Sequence, residues 1–371
     1  MKRKKSIWAL VALSLIAVGL LTVFSVFAAV GFDVNRIDAQ YFDRETVFLN
    51  DYEIKQIEIN TTFCDVRILP LAEGEVASLH TPYGESINHH VTLQNGVLSV
   101  NIVDARDWYE QISFFGHGDA DGGIELRLPQ GLYEKLKIVT ASGDVSVQGK
   151  RDDTDLLQFQ AVWVESTSGN IDFHADVLRS VTNDGKTVFG GCYFQSTSGD
   201  IAVRAGANGA PINVHNGSGD TVVHDCTVVQ LSLQSTSGDI TVTNVDGAKG
   251  AVRAESTSGD IGLTDVKADG LTTLNTSGDT LLCRVAVTQS LRMTTTSGDV
   301  EILQSDAASL SLRSGSGDIT ALLLSSKRFF VDTTSGDVAH PESDYEHGGL
   351  CEINTTSGDV DITVLELTTA Q

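Results

Sequence analysis

The sequence predicts an all-β fold, a single-stranded parallel β-helix (β-solenoid) of about eleven coils of ~20 residues, preceded by an N-terminal transmembrane helix. Two observations predict it. The phrase Thr-Ser-Gly-Asp, or a close variant, occurs eleven times with its glycines 19 to 30 residues apart. An uncharged run of 24 residues, Ile7 to Val30, precedes all of them. A regular period near 20 residues is typical of stacked repeat architectures, in which each repeat is one supersecondary unit.

The N-terminus has the pattern of a membrane anchor. Residues 1–6 form a basic segment containing Lys2 to Lys5, and residues 7–30 are long enough to cross a bilayer as one helix. The positive-inside rule then assigns the N-terminus to the cytoplasm and everything after Val30 to the outside. A cleaved signal peptide ending near Ala29 is the alternative, which would make the protein secreted. We favour the anchor because a signal-peptide apolar region is usually about 7–15 residues long.

Residues 31–135 lack the clean repeat and are interpreted as a β-rich capping region with degenerate repeats. The segment Glu58 to Leu69 (EINTTFCDVRIL) resembles a worn copy, with Asp65 in the position of the repeated aspartate. Repeat proteins need such caps because the end of a stack otherwise exposes its core and its strand edges.

Residues 136–371 form the regular part of the predicted β-solenoid. Apolar residues prevail seven and five positions before the repeated glycine and two and four after it. This alternation has the period of a β-strand rather than of a helix. Three positions before the glycine every copy has Ser, Thr or Asn, which indicates an inward-facing polar column able to hydrogen-bond the turn backbone. Two longer intervals predict excursions from the coil at residues 150–160 and 179–191.

The repeated Gly-Asp is interpreted first as a corner of the coil. Glycine supplies a positive φ, and the side chain after it can accept hydrogen bonds from nearby backbone N–H groups. The second interpretation is a cation ladder, because stacked carboxylates repel unless donors or cations neutralise them. Calcium would need six to eight oxygen ligands, which one aspartate per coil supplies only with carbonyls and water. No other cofactor is expected. The residues concerned are Asp144, Asp200, Asp220, Asp239, Asp260, Asp279, Asp299, Asp318, Asp337 and Asp359.

Two further sets of residues deserve a prediction. The segment from Asp104 to Gly123 combines aromatic and acidic residues, and it is either a plug for the end of the rod or a carbohydrate-binding loop. The aromatic residues of the candidate ligand loop are Trp108, Tyr109, Phe114 and Phe115. Trp163 has outward parity and would extend a ligand-binding face.

The cysteines at 192, 226 and 351 have inward parity and are predicted to lie in the core, whereas Cys283 has outward parity.

Charge limits the partners. The first thirty residues hold four of the 25 basic residues and none of the 49 acidic ones, so the rest of the chain carries a net charge of −28. This sign argues against nucleic-acid binding, which relies on neutralising phosphates with Lys and Arg. The membrane, through the N-terminal helix, and an unidentified protein or glycan on the outer side remain as expected partners.

The Ser/Thr-Ser-Gly-Asp-Val/Ile repeat behind an N-terminal anchor resembles the bacterial "putative adhesin" family of cell-envelope β-solenoids, a domain of unknown function. The resemblance covers about Ile54 to Leu367. It implies a non-enzymatic, extracytoplasmic protein, either adhesin-like or accessory to envelope-stress signalling, and it carries over no catalytic residue. The alternative is a protein that binds or cleaves polysaccharides through the 104–123 loop.

Overall fold

A computed structural model describes residues 43–49, 52–84, 87–104, 123–151, 154–155, 157–178, 190–206 and 210–365. The described residues form thirty β-strands, all but five of which join one 25-stranded sheet. The predicted anchor at residues 7–30 lies outside them. Among the described residues, we find no helix with the length and hydropathy needed to cross a membrane.

The first ten strands build the N-terminal end of the rod. They are β1 (Asp43–Phe48), β2 (Gln56–Thr61), β3 (Val66–Pro70), β4 (Ser78–Tyr83), β5 (Ile87–Gln94), β6 (Val97–Asp104), β7 (Ile124–Leu128), β8 (Gly131–Tyr133), β9 (Lys135–Thr140) and β10 (Val145–Gln148).

The next sixteen strands build most of the regular rod. They are β11 (Lys150–Arg151), β12 (Thr154–Asp155), β13 (Leu157–Phe159), β14 (Val162–Ser166), β15 (Ile171–His174), β16 (Asp176–Val177), β17 (Cys192–Ser198), β18 (Ile201–Arg204), β19 (Ala210–Ser218), β20 (Thr221–Ser237), β21 (Ile240–Ser258), β22 (Ile261–Ser277), β23 (Thr280–Cys283), β24 (Ala286–Ser297), β25 (Val300–Ser316) and β26 (Ile319–Leu323). The last four are β27 (Lys327–Ser335), β28 (Val338–Ala339), β29 (Gly349–Ser357) and β30 (Val360–Val364).

Successive coils stack as rungs, with equivalent residues directly above one another. Leu231 pairs with Val252, which pairs with Leu271, and all three are buried. The same parallel register holds after the corner, where Ile240 pairs with Ile261. The apolar columns therefore merge into one continuous core along the rod, which no single rung could form alone. The all-β parallel solenoid predicted from the repeat is confirmed.

The worn copy at Glu58–Leu69 is a true rung. Its strands β2 and β3 pair in parallel with β9 and β10 of the first regular coil. Its strand β3 pairs with β7 on the other side.

The interval at residues 150–160 is not simply a loop. Its end forms β13, which lies between β8 and β16 in a separate three-stranded sheet. Leu157 and Phe159 are fully buried there, and the Phe159 ring packs 5.8 Å from that of Tyr133 and 6.3 Å from that of Phe173. The prediction of an excursion was wrong for these residues because their apolar side chains complete a third side of the core. Residues 179–189 of the second interval lie outside the described residues.

The order of rungs in space departs from the order in sequence at both ends. At the N-terminal end, β2 lies between β6 and β9, so the first rung of the chain is the second rung of the rod. At the C-terminal end, β29 lies between β25 and β27, and β30 lies between β26 and β28. Each end of the repeat region is thus inserted between two other rungs rather than left as the outermost strand.

Candidate functional site

The repeated Gly-Asp forms a corner at which neighbouring rungs approach closely. Eight of the eleven repeat glycines have positive φ, between 122° and 144°. Gly143, Gly169 and Gly199 do not, yet a Cβ at these positions would lie 1.8–2.4 Å from a carbonyl oxygen of the adjacent rung. Close approach therefore requires glycine at all eleven corners, and a left-handed backbone reinforces the requirement at eight of them.

The aspartates after these glycines form a hydrogen-bonded ladder. The Oδ1 atom of Asp239 accepts the backbone N–H of Asp260 at 2.8 Å, and Oδ1 of Asp260 accepts that of Asp279 at 2.8 Å. The ladder begins at Asp65, whose Oδ1 accepts the N–H of Asp144, and it passes through Asn170. An amide does the same work as a carboxylate at position 170 because the ladder uses one side-chain oxygen per rung.

At the C-terminal end, the ladder follows the order of the rungs in space rather than in sequence. Asp359 donates its N–H to Asp318, and Asp337 donates to Asp359, each at 2.8 Å. Within the described residues no three His, Cys, Asp or Glu side chains are grouped so that they could hold a metal ion. Cation binding along this column therefore remains a prediction, and the backbone N–H groups supply the donors that the corner interpretation requires.

Several of the small polar residues three positions before each glycine lie inside the rod and form hydrogen bonds with the backbone of the corner. Asn275 Nδ2 donates to the carbonyl oxygens of Gly259 and Gly278, and Asn216 Nδ2 makes the same pair of bonds to Gly199 and Gly219. Ser166 Oγ accepts the N–H of Gly169 at 2.7 Å. These contacts explain why Asn275, Asn216 and Ser166 are polar although they are buried. Other members of the column lack such contacts: the buried side-chain oxygens of Ser256, Thr295, Ser314 and Thr333 have no hydrogen-bond partner among the described residues.

A second corner was missed by the sequence reasoning. Six residues after the glycine, five successive rungs have a non-glycine residue with φ of 48–55°, namely Asp225, Asn244, Asp265, Arg284 and Gln304. Asn and Asp tolerate this left-handed conformation best, so three of the five carried a detectable signal.

The second corner carries its own polar contacts between rungs. Asn244 Nδ2 donates to Asp225 Oδ1 at 2.6 Å, and this hydrogen bond, with that from His224, lowers the pKa of Asp225 below its ordinary value. Arg284 binds both carboxylate oxygens of Asp265 at 2.6 Å, and the pKa of Asp265 is lowered for the same reason. The exposed pair contributes little to stability but fixes the direction of both side chains.

Trp163 is exposed as predicted, but its ring geometry limits what it can bind. It stacks on Tyr193 of the next rung, with centroids 4.2 Å apart and planes 24° apart, and the Tyr193 ring meets that of His215. Because the two stacked faces cover each other, neither of these faces is available to a ligand. A sugar ring would have only the outer face of Trp163 on which to stack. Trp108, Tyr109, Phe114 and Phe115 lie outside the described residues, and of the predicted ligand loop only Asp104 and Gly123 are described.

A shallow polar groove of ≈ 620 Å³ begins beside Tyr193 and follows the rod axis. Its walls are the residues four, three and two positions before successive glycines. They include Gln195, His215, Gln234, Glu255, Thr236, Thr257 and Thr276.

The cysteines occupy the predicted positions. Cys192, Cys226 and Cys351 are buried in the core, as is Cys64, and Cys283 is half-buried at the surface. Burial raises the pKa of Cys64 to about 12 and that of Cys226 to about 11, which keeps both thiols protonated and unreactive.

A comparison with protein-family models gives a match for this repeat architecture. The chain matches the family described as Toastrack DUF4097 over residues 54–255, 186–321 and 246–371. The chain belongs to this family. The Toastrack DUF4097 match covers the whole rod, so the resemblance inferred from the repeat is confirmed. A search of curated proteins gave no match.

Solved structures with some similarity are described as adhesins. A "putative cell adhesion protein" from Clostridium sporogenes is 6% identical, covering 87% of this chain and 100% of its own, with a TM-score of 0.28. A "putative adhesin" from Bacteroides fragilis is 11% identical, covering 88% and 99%, with a TM-score of 0.29. One from Parabacteroides distasonis is 8% identical, covering 88% and 98%, with a TM-score of 0.30. TM-scores this low support no conclusion about the fold or function of this Toastrack DUF4097 chain.

Proposed function

We propose that this protein is a non-enzymatic, adhesin-like interaction protein. It stands outside the cell as a stiff acidic rod, held in the membrane by residues 7–30, and it presents its surface to a protein or glycan partner.

The observation that carries the proposal is the continuous stack. One core runs through every rung, and corner hydrogen bonds of 2.8–3.0 Å link each aspartate to the next from Asp65 to Asp337. Such a rod resists bending, and its outward side chains repeat at about the 4.8 Å spacing of paired strands. Fixed, repeated side chains suit the display of a surface better than a catalytic step, which needs convergent groups in a concave pocket.

The charge of the molecule supports the same function. A net charge of −24 over the full chain keeps neighbouring rods apart and argues against nucleic acid as the partner. Cationic proteins, or glycans bound through neutral hydrogen bonds, are the compatible partners.

The location can be tested with Cys283. It is the one cysteine of the five that is not buried, so a membrane-impermeant maleimide should label the full-length protein there on intact cells. The variant Cys283→Ser, which leaves the core thiols in place, should remain unlabelled. Labelling that appears only after lysis would overturn the extracytoplasmic assignment.

The interaction role needs a second experiment. We expect cells that lack the protein to adhere less to protein- or glycan-coated surfaces, and full-length protein to restore adherence. Protein without residues 7–30 should not restore it, because in this proposal those residues both carry the rod across the membrane and hold it there. Release of soluble sugars from a panel of polysaccharides by the wild-type protein would instead support the enzymatic alternative.

A further inference from the structure

The two ends of the rod are built differently. At the N-terminal end, the outermost rung is paired on both edges, because β5 and β4 add antiparallel strands to β6 and β7. At the C-terminal end, the outermost rung is β27 and β28, which within the described residues pair only with β29 and β30. The C-terminal rung therefore ends in an open strand edge.

This edge repeats the hydrogen-bonding groups used inside the rod. Between the last two rungs, Gly358 N–H donates to Ser335, Val360 N–H donates to the carbonyl of Asp337, and Asp359 Oδ1 accepts the N–H of Asp337. The equivalent groups of the outermost rung are Gly336 N–H, Val338 N–H and the Asp337 carboxylate. None of these three has a partner among the described residues. The rung thus presents two donors and one acceptor in the arrangement that binds a parallel strand.

The same rung exposes its core. Val338 is 40% exposed, whereas its equivalents Ile319 and Val360 are each 1% exposed. On the outward face of the same strand, Phe330 is 53% exposed, and Leu350 of the neighbouring rung is 37% exposed. Phe330 and Leu350, but not Val338, border a shallow depression of ≈ 440 Å³.

Only the first part of this edge is covered by the chain itself. The segment 340–348 folds back so that Asp344 N–H donates to Lys327 O, Ser343 Oγ accepts Phe329 N–H, and the His340 ring packs on Phe329. The edge from Phe330 onward is not covered by any described residue.

The charged residues around the open strand edge indicate which kind of polypeptide can bind there. Exposed acids surround the open edge at Asp332, Asp337, Glu342 and Glu346, and the neighbouring arginine is Arg328. A second acidic rod would be repelled, whereas an extended segment with apolar residues on one side and basic residues on the other would match both features. We infer that the C-terminal tip of the rod binds an extended polypeptide of alternating apolar and basic residues, which adds to β27–β28 as a further parallel strand.

Strand addition at an exposed edge is a general mode of peptide recognition, in which main-chain hydrogen bonds give affinity and alternate side chains give specificity. The inference extends the proposed function by naming the binding end and the partner chemistry. It does not depend on the membrane anchor, so either can fail without the other.

The test uses the full-length protein in detergent and a fluorescent octapeptide of alternating Val and Lys, with binding followed by anisotropy at physiological salt. We expect binding, and protection of the Gly336 and Val338 amides from hydrogen exchange. A Val–Glu octapeptide, and a Val–Lys peptide N-methylated at alternate residues, should not bind.

Paired variants localise the site. Phe330→Ser and Asp332→Lys should each weaken binding about tenfold or more, because each removes a contact at the centre of the patch. Their controls are Leu281→Ser and Glu301→Lys, which change exposed side chains of the same types in the middle of the rod and should leave affinity unchanged.

Three outcomes would overturn the inference. The first is no binding of the Val–Lys peptide, and the second is equal weakening by tip and mid-rod variants, which would indicate non-specific attraction to an acidic surface. The third is dimerisation of the unliganded protein that Phe330→Ser abolishes, because the tip would then bind a second copy of the chain.

Discussion

At the scale of single residues, the distance between rungs decides the repeated motif. The corner glycines are needed chiefly because a Cβ would meet the carbonyl of the rung below, as at Gly259, where it would lie 2.3 Å from Gly238 O. The following aspartate is needed for one oxygen, which Asn170 supplies equally well. Both requirements concern the neighbouring rung rather than the residue's own turn.

A pair of glycine substitutions tests this account. Gly259→Ala should lower the free energy of unfolding by about 2 kcal/mol or more, since it combines the clash with a strained φ of 139°. Gly262→Ala lies three residues away, where a Cβ meets nothing within 4 Å, and should be neutral or stabilising by about 0.5–1 kcal/mol. Urea unfolding followed by circular dichroism measures both, and equal effects would contradict the account.

At the scale of elements, the inserted rungs close the rod. At the C-terminal end, Lys327 begins the outermost strand, β27, but its ammonium group reaches past the inserted β29 to the rung beyond. There Lys327 Nζ contacts Asp306 Oδ1 at 2.6 Å and donates to Ala307 O at 2.8 Å. Gly349, which pairs with Lys327, leaves this path free of a side chain. The buried lysine thus holds three rungs together.

Replacing this lysine should loosen the end of the rod. Lys327→Met keeps most of the length but leaves Asp306 without its cation, so we expect a loss of about 3 kcal/mol. Hydrogen exchange should accelerate in β27 and β29 and remain unchanged in β21. The double variant Lys327→Met/Asp306→Asn should recover part of the loss, and an additive loss in the double variant would argue against the pair.

In the N-terminal cap, the carboxylate of Glu125 lies beside two arginines, Arg127 and Arg44. Burial raises the pKa of Glu125, but the hydrogen bond and charge of Arg127 and the charge of Arg44 outweigh it and hold that pKa below its ordinary value. Since the folded-state pKa is depressed, these contacts stabilise the cap above the ordinary pKa. The stabilisation is lost as the pH falls through the folded-state pKa.

This sign gives a pH-dependent prediction. The unfolding temperature of the wild type should fall as the pH is lowered from about 5 to about 3. In the Glu125→Gln variant, this fall should be smaller. Glu301→Gln, at an exposed position in the middle of the rod, serves as the control and should follow the wild type. A Glu125→Gln curve parallel to the wild-type curve would contradict the assignment.

At the scale of the whole molecule, a chain with a net charge of −24, and of −28 after residue 30, must accommodate aligned carboxylates in its rod. Each described member of the Asp column accepts a backbone N–H except the last, Asp337, at the open tip. The remaining oxygens face solvent, where water and mobile ions screen them.

Calcium should therefore have little specific effect. We expect the unfolding temperature in millimolar calcium to lie within about 2 °C of that in EDTA at equal ionic strength. A larger rise that disappears when several column aspartates are changed to Asn would make the column a cation ladder.

The sequence by itself determined the repeat, its strand period, the inward polar column and the glycine corner. All of these arise from one rung meeting an identical rung, so the pattern appears in the chain as periodicity. It also placed Asp65 in the column of the repeated aspartates.

Only the tertiary structure decided the order of rungs at the two ends, the burial of Leu157 and Phe159, and the left-handed corner at Arg284 and Gln304. Rungs that exchange places keep the same local pattern, because each strand needs parallel apolar neighbours but not particular ones. The open edge at Gly336 to Val338 follows from that exchange, since the copy that closes the sequence is inserted inside the rod and leaves an earlier copy at its tip.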